Sequence, residues 1–174
     1  MHIAGIITAD VANGPGLRTS VFVSGCPIRC KGCHNEKMWD YDYGRKFTEE
    51  LQSYIFYTID KPGIEGLSIL GGEPLAPANL TEVTKLILAF RNRFGTSKTI
   101  WLYTGYAYES RDVPDIFDNI DVMVDGRFIE EQKDITLLYR GSKNQRIIDM
   151  AATRASGELV LLDIDRYGII KGHR

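Results

Sequence analysis

Thr19-Ser20-Val21-Phe22-Val23-Ser24-Gly25-Cys26-Pro27-Ile28-Arg29-Cys30-Lys31-Gly32-Cys33-His34-Asn35 passes without a spacer from a run of β-formers into a loop that holds every cysteine of the chain. Residues 19–24 are short and rich in Thr, Val and Phe, which predicts a strand. Downstream, Thr48 is a plausible N-cap for a helix to about Ile59, with Leu51, Tyr54, Ile55 and Ile59 on one face. A short apolar strand, Gly66 to Leu70, runs into Gly71-Gly72-Glu73-Pro74. Leu80, Val83, Leu86, Ile87 and Phe90 recur at helical spacing from Asn79 to Phe90. Thr99 to Tyr103 reads as a buried strand, Asp112 to Phe117 as a short helix, and Asp121 to Val124 as a strand closed by Asp125-Gly126.

This alternation predicts βαβ units, a mostly parallel sheet and an α/β fold. A complete eight-unit barrel takes about 250 residues, and the chain has 174, so an open, partial barrel is expected. Functional loops in such folds gather at the C-terminal ends of the strands. The cysteine loop, the Gly-Gly-Glu-Pro turn and Tyr103-Thr104-Gly105 are placed there. After Arg127 the pattern weakens. Glu130 to Lys133 is polar, Arg140 to Arg146 is dense in donors and turn formers, and residues 158–163 and 167–170 suggest a terminal hairpin across Asp165-Arg166.

Composition narrows the function class. Apolar residues make up 44% and charged residues 25%, as in a globular protein. A formal net charge of -2 leaves no electrostatic footprint for nucleic acid or an acidic membrane surface. No apolar run approaches the roughly 18 residues that span a bilayer. Met1-His2-Ile3-Ala4-Gly5 lacks a basic region ahead of an apolar one. A cytoplasmic, reducing location is therefore expected, with neither nucleic acid nor membrane as partner. Three cysteines within eight residues form a poor disulfide framework; neighbours this close read as ligands.

Their spacing is C-x3-C-x2-C. Three thiolates hold three corners of a 4Fe-4S cubane and leave the fourth iron open, as a substrate needs. Arg29 and Lys31 offset the negative charge of such a cluster, and Gly25 and Gly32 let backbone N–H groups approach its sulfides. The competing metal site, zinc on the three cysteines plus His34, would need adjacent residues 33 and 34 to bend onto one ion. Zinc ligands normally come as separated pairs.

The cysteine spacing resembles the cluster motif of the radical S-adenosylmethionine (SAM) superfamily. Gly32 stands where an aromatic residue usually precedes the third cysteine, and Cys33-His34-Asn35 is similar to the glycyl-radical-enzyme activating branch. Asn13-Gly14-Pro15-Gly16-Leu17-Arg18 resembles that branch's Gly-Pro-Gly-x-Arg segment, and Gly71-Gly72-Glu73-Pro74 the superfamily's GGE motif. Trp101 to Tyr106, Val124 to Phe128 and Arg140 to Arg146 resemble the activases of anaerobic ribonucleotide reductases. The resemblance runs through most of residues 12–146.

It implies one domain over 1–174, an open partial (β/α) barrel of radical SAM type with 150–174 as a C-terminal extension. It also implies that Cys26, Cys30 and Cys33 are the cluster ligands. Gly32, Cys33, His34, Gly71, Gly72, Glu73, Pro74 and Thr104 are the implied SAM contacts. The implied activity is reductive cleavage of SAM, which yields a glycyl radical on the large subunit of an anaerobic (class III) ribonucleotide reductase. The implied electron donor is flavodoxin-like or another one-electron carrier. No acid–base pair is needed. Asp125 and Arg140 to Arg146 are candidate partner contacts by position and polarity. Two other readings stay open: an activase of another glycyl radical enzyme, such as a formate lyase, and a non-catalytic zinc or iron-sulfur module.

Overall fold

The structure, a computed structural model, describes residues 1–165 and 167–170. Its strands are β1 (His2–Asp10), β2 (Leu17–Val23), β3 (Arg45–Lys46), β4 (Ile64–Gly71), β5 (Thr99–Tyr103), β6 (Val122–Asp125) and β7 (Arg146–Asp149). The α-helices are α1 (Glu49–Ile59), α2 (Pro77–Phe94), α3 (Pro114–Phe117) and α4 (Met150–Ser156). One open, mixed sheet has the order β3-β1-β2-β4-β5-β6-β7. Its central strands, β2, β4, β5 and β6, run parallel; β1 and β7 flank them antiparallel. The expected α/β class and partly wound sheet are present.

Alternation along the strands makes two unlike faces. Val21, Val23, Leu67, Ile69, Ile100, Leu102, Met123 and Ile148 join the apolar residues of α1, α2 and α3 in one buried core. Thr48 caps α1 by accepting from the Leu51 N–H at 3.2 Å, as its sequence position suggested. Phe90 is fully buried in that core and packs against Phe94, with ring centroids 4.9 Å apart.

The opposite face is part aromatic and part polar. Trp101, Val122, Val124 and Ile147 form a second buried cluster, flanked by Tyr103, Tyr139, Leu162 and Ile164. Beside it lies Arg18, almost fully buried with no carboxylate bonded to it. Its guanidinium donates to Ser68 Oγ at 2.8 Å, Thr99 Oγ1 at 2.9 Å, and the carbonyls of Leu67 and Thr99, each at 2.9 Å. Burial brings its pKa down to about 10. Gly14, at φ 129, passes so close to Arg18 and Trp101 that a Cβ there would meet both.

Several elements differ from the sequence reading. β1 went unrecognised because its burial is irregular and it carries register shifts between Ile3 and Gly5 and between Ile7 and Asp10. The helix expected from Asp112 begins at Pro114, where proline suits the first turn. Arg146, the last residue of the donor-rich turn segment, begins the antiparallel strand β7, where the sequence reading places no element. Among the described residues, the expected terminal hairpin is reduced to a single antiparallel bridge in place of two paired strands. The 160–162 backbone bonds instead to β7, through Leu162 N–H to Ile147 O at 2.8 Å and Asp149 N–H to Val160 O at 2.9 Å. An isolated bridge joins Ile164 to Ile170; Arg166, in the expected turn, lies outside the described residues.

Phe90→Ala removes a ring from a core with no room to collapse. It is expected to cost about 3–5 kcal/mol in urea unfolding of the cluster-free chain.

Candidate functional site

Because β2, β4 and β5 are parallel neighbours, their C-terminal ends lie on one rim of the sheet. The loops that leave them enclose a cavity of about 210 Å³. Its walls include Cys26, Cys30, Cys33, His34, Gly71, Gly72, Glu73 and Thr104. Of the expected SAM contacts, the structure thus brings together Cys33, His34, Gly71, Gly72, Glu73 and Thr104. Gly32 and Pro74 are not part of the lining: Gly32 is exposed beside Glu130, and Pro74 is buried behind the turn.

Two loop backbones touch at the centre of this rim. The Gly72 N–H donates to Val23 O at 2.7 Å and the Glu73 N–H to Gly25 O at 2.8 Å. A Cβ on Gly72 would lie 2.7 Å from Gly25 O and 2.9 Å from Met38 O, so glycine is required by the packing itself. Asn79, on α2 and almost fully buried, adds the cross-tie. Its amide donates to Ser24 O at 2.8 Å and Glu73 O at 3.0 Å. Sequence reading missed this residue; the available signal was a polar amide beginning an otherwise apolar helical face.

The cysteine loop curls through left-handed backbone at Gly25 (φ 89), Arg29 (φ 48) and Gly32 (φ 70). These steps turn N–H groups inward. Ile28 and Arg29 bond Cys26 through their backbone, and the Asn35 N–H reaches Cys33 Sγ at 3.3 Å. Burial is the main influence that raises the Cys26 thiol pKa, with Glu73 and Cys30 adding to it. Binding of iron must therefore displace a proton there. All three cysteines are free. Among the described residues, no three His, Cys, Asp or Glu side chains are grouped to hold a metal ion. Free thiols around one cavity, with N–H groups already on sulfur, fit a sulfide-bridged cluster.

Glu73 does not offer its carboxylate to the cavity freely. One oxygen accepts from Thr104 Oγ1 at 2.7 Å and the Leu75 N–H at 2.9 Å; the other accepts from the Gly105 N–H at 2.8 Å. Burial pushes its pKa upward against the pull of these donors. The side chain ties the end of β4 to the end of β5, and Thr104 spends its hydroxyl on the same tie.

The far wall is built by residues 126–145. Gln145 accepts from the N–H groups of Gly141 and Ser142, at 2.8 and 3.1 Å, and donates to Gly126 O at 3.0 Å. Asp125, a candidate partner contact by sequence, has another role. It is fully buried, accepts from Arg146 at 2.9 and 2.5 Å, and accepts from the Tyr108 N–H at 2.8 Å. Enclosure by these donors removes it from any partner surface. Arg146 also grips Glu109 at 2.9 and 2.8 Å. These hydrogen bonds pull the Glu109 pKa down to about 2, while Asp125 first and Glu109 second raise that of Arg146.

Comparison with known proteins supports a 4Fe-4S cluster domain in this chain. The family described as "4Fe-4S single cluster domain" matches residues 12–148. The chain is 43% identical over 142 residues to the anaerobic ribonucleoside-triphosphate reductase-activating protein of Vibrio cholerae, covering 79% of this chain and 91% of that protein. It is 38% identical over 140 residues to the Escherichia coli K12 protein of the same name, covering 78% and 90%. The phage T4 protein of that name is 37% identical over 147 residues, covering 84% and 93%.

Asn79→Ala leaves buried carbonyls of Ser24 and Glu73 without its donor. It should cost about 1–3 kcal/mol of unfolding free energy and lower the iron bound per chain on reconstitution. Glu109 makes an acid-side prediction. Its folded pKa lies below its ordinary value, so its stabilisation is present above about pH 4.5 and is lost as pH falls through about 2. Solvent exposure screens the pair to under about 1 kcal/mol. Glu109→Gln should flatten that part of the cluster-free stability profile, read by urea unfolding between pH 5 and 2.

Proposed function

We propose that this chain, which belongs to the family of anaerobic ribonucleoside-triphosphate reductase-activating proteins and carries a 4Fe-4S single cluster domain, activates an anaerobic (class III) ribonucleotide reductase by generating a glycyl radical on its large subunit. The observation that carries the proposal is the convergence of Cys26, Cys30 and Cys33 with the Gly71–Glu73 turn and Thr104 around one cavity. In this reading the sheet is the open partial barrel of the radical SAM type, and the protein works in the cytoplasm. Among the described residues, no helix is long and apolar enough to cross a membrane.

The chain's own residues divide the work. Cys26, Cys30 and Cys33 would hold the cluster as thiolates, three ligands for four irons. A 4Fe-4S cluster held by these cysteines would supply the one-electron chemistry for reductive cleavage of SAM and, through it, hydrogen-atom abstraction from a glycine of the reductase. Backbone at Gly71, Gly72 and Glu73 orients the SAM amino group, where missing side chains allow close approach. Glu73 and Thr104 fix the spacing between the two strand ends that frame the ligand. Ile28, Trp39 and Phe128 line the cavity and exclude water. His34 stands beside the cluster or adenine as a contact residue. No side chain is assigned as general base, because hydrogen-atom transfer needs none. The reductase's glycine-bearing segment enters by the open side of the partial barrel, and a flavodoxin-like protein or another one-electron carrier supplies the electron.

The test is anaerobic reconstitution with iron and sulfide, then SAM and dithionite, with 5′-deoxyadenosine quantified. The wild type should form it, and the Cys26/Cys30/Cys33→Ala triple variant should form none. Addition of the cognate reductase should then give a glycyl radical signal by EPR. A fully loaded cluster that yields no 5′-deoxyadenosine, with or without the reductase, would rule out SAM cleavage.

A further inference from the structure

The C-terminal segment wraps one edge of the sheet and closes over the face that the helices leave uncovered. Leu159 packs with the helix-side core. The next residues bond to β7, and Leu162 and Ile164 then lie on the opposite face against the cluster of Trp101, Val122, Val124 and Ile147. Gly168 is buried against the Tyr139 hydroxyl, where a Cβ would clash. One isolated bridge, Leu161 to Ile148, ties this strap to the sheet, while the bridge from Ile164 to Ile170 lies within the strap itself; Leu161, Tyr167 and Ile169 are left exposed.

The closed arrangement is poorly satisfied underneath. Among the described residues, buried Tyr103 Oη and Arg140 Nε have no hydrogen-bond partner, although Arg140 Nη1 donates to Gln145 O at 3.1 Å. Of the groups that act on Tyr103, Arg18 is engaged with Ser68, Leu67 and Thr99, and Asp10 with Ser20, Asn13 and Ala12. Tyr139, between the strap and Trp101, sits at φ 57, which is costly for an aromatic residue. A cavity of about 390 Å³ remains between the strap and residues 136–140. Unpaired donors and a strained residue on one side of the sheet favour opening, and the groove beside them leaves room for a partner to enter. Both orphaned groups can donate, so what replaces the strap must supply acceptors. The Tyr103 ring also lines the cysteine cavity, so the covered surface is continuous with the site.

We propose that the strap, described over residues 159–165 and 167–170, is displaceable, and that the surface beneath it, at Tyr103 and Arg140, receives an extended, carbonyl-presenting segment of the reductase that carries the target glycine. The proposal rests on the activase reading for the identity of that segment. Closure lowers the fraction of chains competent to bind, and opening is coupled to arrival of the partner.

Hydrogen exchange on the cluster-loaded, full-length chain, alone and with the cognate large reductase subunit, tests this. Strap amides should exchange at least about tenfold faster in the complex, while residues 136–140 and Tyr103 gain protection. Strap amides that stay equally or better protected in a formed complex overturn the proposal, as does the absence of any complex. Ile164→Ser, which weakens the strap's apolar anchor, should lower the KM for the reductase by about threefold or more and leave partner-free 5′-deoxyadenosine formation unchanged. An unchanged or raised KM in a variant whose strap exchange is faster overturns it too. Failure to form 5′-deoxyadenosine would defeat the radical chemistry, and displacement of the strap would still be read by exchange.

Discussion

The contact of two backbones, at Gly25 and Gly72, is the constraint on which the rest of the site depends. The ends of β2 and β4 are already neighbours in the sheet, yet their loops must cross at hydrogen-bond distance for the cysteine loop to face the Gly-Gly-Glu turn. A side chain at residue 72 would push them apart, and Asn79 pins the crossing from below. Glu73 then carries the same geometry sideways to Thr104 and Gly105. Three strand ends are thus spaced by short hydrogen bonds, and the cavity is the gap they leave.

The two faces of the sheet divide the labour. The helix-covered face is dry and aliphatic, and it fixes strand register through residues such as Leu67, Ile100 and Met123. The other face mixes a buried, unpaired-charge arginine, serines and aromatic rings. A cation hydrogen-bonded only to neutral oxygens, as Arg18 is, depends on geometry, with every donor direction but one occupied and the Trp101 ring beside it.

Much of this was readable in the chain. β5 was expected at Thr99–Tyr103 and occurs with those bounds, because it is short, apolar and flanked by polar residues. The rim location of the cysteine loop and the Gly71–Glu73 turn followed from parallel strand order alone. Other features were hidden for physical reasons. β1 carries bulges that break its period of two, and β7 begins on an arginine whose charge is neutralised by the distant Asp125 and Glu109. The role of Glu73 was also invisible: a carboxylate beside a glycine pair looks like a ligand, while its partners lie two residues onward and across at residues 104 and 105. Local pattern reports which residues are apolar; it does not report which distant donors will arrive.

The concentration of all three cysteines in a single rim loop bears on repair. The loop closed by binding a cluster is short, so its ordering entropy is small. None of its ligands comes from a second, sequence-distant element. The sheet and the helix-side core do not depend on iron to hold their strands together. A chain that loses its cluster to oxygen therefore keeps its folded scaffold and can be refilled in place, so exposure to air costs a metal-loading step and spares a round of synthesis.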